Sequence, residues 1–303
     1  MSLQALYDLP APAKLNLFLH VIGRRADGYH LLQSPFVLID WVDTLHFERR
    51  ADGRLQRHDL GPALPEDDLC LRAARALQAA SGSTAGADIH IAKQLPWGAG
   101  MGGGSSDAAT TLLALNRLWG LRWPKARLAA IGLQLGADVP FFVHGHNAFV
   151  EGIGERLQRM DWPVAQYAVV KPPAALPTRE IFGHPALRRD TDPVIVAGSP
   201  EEAGRSGVPA EWVQKFAGGF GRNDLQPPAE DRCPEVAQAA RWLEARYGNS
   251  RMTGSGSAVF ARVGAAEPSR ATDAAAGFES LPPHWVGRMC RSLVIHPLAG
   301  WAD

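Results

Sequence analysis

Three short stretches of the sequence carry residues that could do chemistry. The first is Leu95-Pro-Trp-Gly-Ala-Gly-Met-Gly-Gly-Gly-Ser-Ser-Asp-Ala-Ala109, with glycines at 98, 100, 102, 103 and 104. Glycine tolerates positive φ and puts no Cβ between backbone and ligand, so such a loop can wrap its N–H groups around an anion. Where the loop opens a helix, the positive end of the helix dipole adds to the attraction. That chemistry suits a phosphate. The second stretch is Pro12 to His20, where Lys14 and Asn16 stand two apart. A lysine there could neutralise charge on a ligand, but an ordinary solvated strand face would read the same way. The third is Gly136-Ala-Asp-Val-Pro-Phe-Phe142, with Asp138 just past a helix stop. Asp138 is a carboxylate in a tight spot beside an apolar run, although a turn aspartate is the plainer reading of those residues by themselves.

The surrounding pattern predicts the elements that hold these stretches. Ile89, Ile91 and Leu95 alternate with polar residues, interrupted by Lys93, and read as a strand entering the glycine loop. Ala108, Leu112, Leu115 and Trp119 fall at helical spacing after it, and Gly120 ends the run. A flexible linker would not sit between two such elements. Leu15, Leu17, Leu19 and Val21 also alternate, so Lys14, Asn16, Phe18 and His20 share the opposite face of one strand. A turn at Asp27-Gly28 leads to a second strand through Phe36-Val-Leu-Ile39, and Asp43–Phe47 reads as a third. Glu66, Asp67 and Asp68 precede a helix from Leu69 that Gly82 closes, and they suit capping better than catalysis. Further helices are expected at Pro124–Leu135, Pro234–Tyr247 and around 269–278, with Thr178 capping a short turn. Strands are expected at 147–150, 167–170 and 285–293, and residues 198–207 read as an exposed loop. A boundary near Asp161 divides the chain into domains at 1–160 and 161–303.

Length and composition narrow the class. The chain has 303 residues, 46% hydrophobic and 20% charged, a globular composition with room for two domains. Lysine plus arginine equals aspartate plus glutamate at 31 each, so no global field recruits nucleic acid or an anionic membrane. Three widely spaced cysteines, Cys70, Cys233 and Cys290, fit neither a disulfide framework nor a zinc pattern. Without a long apolar run or a basic, apolar leader, the expectation is a cytoplasmic protein with no membrane partner.

Which phosphate loop this is depends on its neighbours. Gly98-x-Gly100-x-x-Gly103 fits the dinucleotide pattern, but the region some twenty residues on, Gly120 to Lys125, holds no acid for a ribose. No lysine lies in the loop for a Walker motif, and the protein-kinase signatures are missing. The Gly-Gly-Gly-Ser-Ser-x-Ala-Ala ending instead resembles the second motif of the GHMP superfamily of small-molecule kinases. Ala11-Pro-Ala-Lys-Leu-Asn-Leu-Phe-Leu19, Arg25-Ala-Asp-Gly-Tyr-His-Leu-Leu32 and Gly136-Ala-Asp-Val-Pro-Phe141 are similar to one branch of it, whose acceptor is a cytidine-diphosphate-linked methylerythritol. Arg251-Met-Thr-Gly-Ser-Gly-Ser-Ala-Val-Phe260 resembles the third superfamily motif. Between 183 and 230 little matches beyond Gly221-Arg-Asn-Asp-Leu225.

The resemblance implies an α/β fold of the α+β type, two domains, and an active site in the cleft between them. It implies ATP as phosphoryl donor, held by Pro96, Trp97, Gly98, Ala99, Gly100, Met101, Gly102, Gly103, Gly104, Ser105 and Ser106. Mg²⁺ is implied with it, Ser106 being the candidate ligand. Asp138 would take the proton from the acceptor's 2-hydroxyl and Lys14 would stabilise the charge. Asn16 would touch the phosphorylated end, Tyr29 and Phe182 would enclose cytosine, and His30 would read its polar groups. Asp68 stands where relatives commonly carry asparagine near the nucleotide base. The expected partner is the small cytidyl diphosphate molecule, with the chain a monomer or homodimer. Other readings are a kinase of the same superfamily for a different alcohol, a non-catalytic ATP sensor of the same fold, and a nicotinamide oxidoreductase.

Overall fold

The structure is a computed structural model describing residues 3–196, 207–265 and 277–302. The apolar run Phe36-Val-Leu-Ile39 has no polar face, and it lies in the middle of one long strand that other strands and helices bury from both sides. In chain order the first half holds β1 (Ala5–Asn16), β2 (His20–Arg24), β3 (His30–Arg50), β4 (Leu55–Asp59), α1 (Leu69–Ser81), β5 (Gly86–Ala92), α2 (Gly103–Leu118), α3 (Lys125–Leu135), α4 (Val139–His144), β6 (Ala148–Gly152) and β7 (Arg156–Arg159). The second and third strands expected from the pattern are therefore one, β3, of 21 residues. It pairs antiparallel with β1, β2, β5 and β6, and orders a seven-stranded sheet. The strand β4, parallel to β5, is not among the strands expected from the pattern.

The second half comprises β8 (Ala165–Lys171), α5 (Thr178–Gly183), α6 (Ala210–Ala217), α7 (Gln226–Arg232), α8 (Pro234–Tyr247), β9 (Arg251–Met252), β10 (Val259–Ala265) and β11 (Val286–Arg291). Its sheet has four strands in the order β11-β8-β10-β9, all antiparallel. The expected helix at 269–278 and loop at 198–207 fall almost wholly outside the described residues. Thr178 begins α5 and does not cap it. Pro177 occupies that position, and the Thr178 hydroxyl shares a 2.8 Å hydrogen bond with Ser255.

Apolar burial joins the two halves. One cluster under α1–α4 is built almost entirely from the first half, but it also takes in Leu298 and Ala302 from the far end of the chain. A second cluster mixes Leu15, Phe18, Val37 and Phe149 with Tyr167, Val169, Phe216 and Phe260. After β11 the chain crosses back, and single β-bridges join Ile39 to Ser292 and His146 to Ile295. Cys70, Cys233 and Cys290 are free and buried. No helix among the described residues is long and apolar enough to cross a membrane.

Candidate active site

The glycine loop, β1, the β2–β3 turn, α5 and the turn after β9 surround one open cavity of about 1410 Å³. Residues 96–105 all line it, as do Lys14, Asn16, Tyr29, His30, Asp138 and Phe182. The structure thus brings every sequence-predicted site residue but one to a single cleft. The exception is Ser106, whose side chain is fully buried inside the first turn of α2, without a hydrogen-bond partner and away from the cleft lining. Among the described residues no group of three or more histidine, cysteine or acidic side chains is placed to hold a metal ion. The expected Mg²⁺ ligand at Ser106 is therefore not supported, and the residues present do not form a cation site of their own.

Helix α2 begins within the loop. Gly102 caps it at φ 71°, no acidic residue stands in its first turn, and the N–H groups of Gly103, Gly104 and Ser105 have no intrahelical acceptor. An anion at the cleft floor would meet these groups. The glycines at 98 and 100 have a different reason. A Cβ on Gly100 would lie 2.3 Å from the Thr253 carbonyl oxygen, and one on Gly98 would lie 2.9 Å from Ala175. Ser257 and Ala258 donate backbone hydrogen bonds to Gly98 and Ala99 at 3.1 and 3.2 Å. The two glycine turns therefore pack backbone to backbone, and part of the loop's glycine content serves that contact between halves.

Lys14 does not stand on a solvated face. Its side chain is 4% exposed and its Nζ lies 3.5 Å from Asp138 Oδ2 and 3.3 Å from the Gly100 carbonyl. The glycine loop and Asp138 are therefore within about 7 Å of each other. Nζ also donates to Asn16 Oδ1 and sits 4.5 Å above the Phe36 ring. Gly102 leaves room for this stem, since a Cβ there would meet Lys14 Cε at 3.3 Å. Burial lowers the Lys14 pKa, and Asp138 offsets only part of that. Asp138 stands at the N-cap position of α4 yet makes no capping hydrogen bond. Asp138 lies in the turn between α3 and α4, and its carboxylate, 29% exposed, faces Lys14 and the cleft.

Asn16 is committed on all sides. It accepts from Lys14, donates 2.8 Å to Ser34 Oγ, and its backbone N–H reaches Thr253 Oγ1 at 2.9 Å. Asn223, from the short matched stretch in the second half, holds the Met252 and Gly254 carbonyls at 2.7 and 2.8 Å. At the other end of the cleft Tyr29 is 61% exposed and no core residue. Phe182 lies against His30 in a tilted pair, with centroids 5.0 Å apart, and makes no ring contact with Tyr29. Asp68 is the N-cap of α1, accepting from Leu71 N–H at 3.0 Å and pairing with Arg57.

Two groups escaped the sequence reading. Lys93 bridges Asp43 and Asp107 beside the loop, 2.6 Å from Asp107 Oδ2, and Asp43 also caps the Gln94 and Leu95 N–H groups. The signal was the lysine that interrupts an apolar strand face. Arg189, from a stretch with no pattern, reaches His30.

Comparison with known proteins now bears on this cleft. The family "GHMP kinases N terminal domain" matches residues 68–146 and "GHMP kinases C terminal" matches 209–280. A relative from Methylibium petroleiphilum is 64% identical over the full length of both chains. The chain belongs to the GHMP kinases. It is accordingly an enzyme, a small-molecule kinase of mixed α/β fold. That relative is named 4-diphosphocytidyl-2-C-methyl-D-erythritol kinase, as is one from Variovorax paradoxus, 57% identical over 99% of this GHMP kinase and 100% of its own length. A crystal structure of 4-(cytidine 5'-diphospho)-2C-methyl-D-erythritol kinase superposes with a TM-score of 0.72 at 35% identity, covering 93% of this chain and 98% of that one. Homoserine kinase from Cytophaga hutchinsonii shares the fold, with a TM-score of 0.65 at 16% identity over 97% and 96% of the two chains.

Proposed function

We propose that this GHMP kinase transfers the γ-phosphoryl group of ATP to the 2-hydroxyl of 4-(cytidine 5'-diphospho)-2-C-methyl-D-erythritol, a step toward isoprenoid precursors. The observation that carries the reading is Lys14, buried 3.5 Å from Asp138 and 3.3 Å from the glycine loop, in a cleft whose far end offers Tyr29, His30 and Phe182. Full-length identity of 64% and 57% to relatives so named supports the substrate.

In this reading the first turn of α2 and the loop before it hold the ATP phosphates through backbone N–H groups. Mg²⁺ would arrive with the triphosphate oxygens, and no step below depends on it. Asp138 accepts the proton of the 2-hydroxyl as the oxygen attacks in line. Lys14 pairs with that carboxylate and meets the charge spread over the transferred group. Asn16 holds the ammonium in place from the other side. Tyr29 and Phe182 take up the cytosine, and His30 meets its edge. Three free buried thiols fit a reducing, cytoplasmic setting.

A coupled assay of ATP consumption over a panel of alcohols tests the reading. The cytidyl compound should be turned over, while methylerythritol phosphate without the cytidyl group should be a very poor acceptor, because remote binding energy positions the reacting end. Equal turnover of homoserine or mevalonate would overturn it.

A further inference from the structure

Arg189 ties the pyrimidine end of the cleft together. Its Nε donates to His30 Nε2 at 3.1 Å, and its remaining N–H groups reach the carbonyls of Leu187, Phe182 and His184 at 2.9, 3.0 and 3.1 Å. A guanidinium has five N–H groups and no acceptor, and it stays charged throughout the working pH range. Toward such a partner His30 Nε2 can only present a lone pair. The single proton of the neutral imidazole then sits on Nδ1. Among the described residues Nδ1 has no hydrogen-bond partner, and the ring, tilted 31° against Phe182, lines the cleft.

We infer that Arg189 is a positioning residue that fixes His30 as an Nδ1–H donor, so that the cleft accepts cytosine and rejects uracil. The inference rests on the cytidyl reading above. Cytosine N3 carries a lone pair that an N–H donor can meet, whereas uracil N3 carries a hydrogen. Two donors facing each other leave both unpaired in a partly desolvated place, a difference worth roughly tenfold to a hundredfold in selectivity. The same guanidinium holds the Phe182 carbonyl, so the ring that stacks and the ring that reads are set by one side chain. Burial and the nearby charges of Arg189 and Arg24 hold the His30 pKa below its usual value, which keeps the donor in one form through neutral pH.

The tautomer is measured on the ligand-free protein by long-range ¹H–¹⁵N NMR, with the His30 signals assigned by their loss in His30→Gln. The expected spectrum has a protonated Nδ1 and an unprotonated Nε2 that does not titrate near 6.5. The reverse tautomer overturns the inference whatever the substrate proves to be. The second measurement is kcat/KM for the cytidyl acceptor and its uridyl analogue. Wild type should favour cytidyl by roughly tenfold to a hundredfold, and Arg189→Lys, still a donor only, should retain the preference. In Arg189→Glu the carboxylate accepts from Nε2, drives the proton off Nδ1 and should narrow or invert the ratio. A ratio unchanged in folded Arg189→Glu, with folding checked by thermal melting, overturns the inference. Should that variant not fold, wild-type NMR and Arg189→Lys decide. Failure of wild type to turn over either acceptor would instead remove the cytidyl reading and leave the tautomer result standing.

Discussion

Two lysines are buried beside the glycine loop, and their surroundings treat them in opposite ways. Lys93 lies between two carboxylates, Asp43 and Asp107, and their pull outweighs burial and raises its pKa. Burial, with Asp43 alongside, pushes the Asp107 carboxyl up to about 8 against the pull of Lys93. Lys14 has one carboxylate, 3.5 Å away and open to the cleft, and burial prevails and lowers its pKa. A lysine that fastens structure is surrounded by enough negative charge to satisfy it. In the proposed reading Lys14 serves the reaction, and the incoming phosphates would supply the negative charge it is left short of.

Turnover should separate the two sites most sharply. Lys14→Ala and Asp138→Asn should each lower kcat by roughly 10²–10⁴, with nucleotide binding to Asp138→Asn little changed, since the amide keeps the shape but takes no proton. Steady-state kinetics and equilibrium nucleotide binding measure both, and near-wild-type kcat in Asp138→Asn would dismiss it as the base.

Stability should run the other way. Lys93→Met strands two buried carboxylates and should cost about 3–5 kcal/mol in denaturant unfolding. Lys14→Met removes a charge that burial already disfavours and should be close to neutral or stabilising. Comparable losses in the two variants would erase the distinction.

The smallest effect is in pH dependence, and it sharpens the contrast by sign. The folded pKa of Lys14 lies below its unfolded 10.5, so the unfolded chain holds more protons in that window and Lys14's contribution to stability rises with pH across it. The folded pKa of Lys93 lies above 10.5, so its contribution is complete below 10.5 and is lost as pH rises through the folded value. Titration of the lysine ε-carbons by NMR should place Lys14 below the ordinary lysine and Lys93 above it. In Asp138→Asn the Lys14 value should fall further, and no change there would mean that the 3.5 Å pair is not felt.

Much of this was legible in the sequence where local rules decide. The glycine loop between strand and helix, the Asp68 cap, the Gly82 stop and the Asp27-Gly28 turn each follow from one residue's conformational preference. Lys14 and Asp138 are different, because composition left each balanced against a bland reading, and only a contact spanning 124 positions decides between them. The Lys93 trio draws on Asp43 and Asp107, distant in sequence, and its only trace was a charge on an apolar face. Arg189 left no trace at all, since nothing around it is periodic. The loop glycines were legible for a partly mistaken reason: Gly100 makes room for the opposite turn and Gly98 for Ala175, rather than for a ligand alone.

The return of the chain after β11 sets an order of events during synthesis. His146 bridges to Ile295, and His296 and Ala299 press against Gly145 and close the core that α1–α4 began. Some 150 residues separate those partners, which at roughly 5–20 residues per second is on the order of 10–30 s of translation. Through that interval the core under α1–α4 lacks Leu298 and Ala302, the residues that close it from the far side of the sequence. The ribosome must finish almost everything the seal will hold together before it delivers the seal.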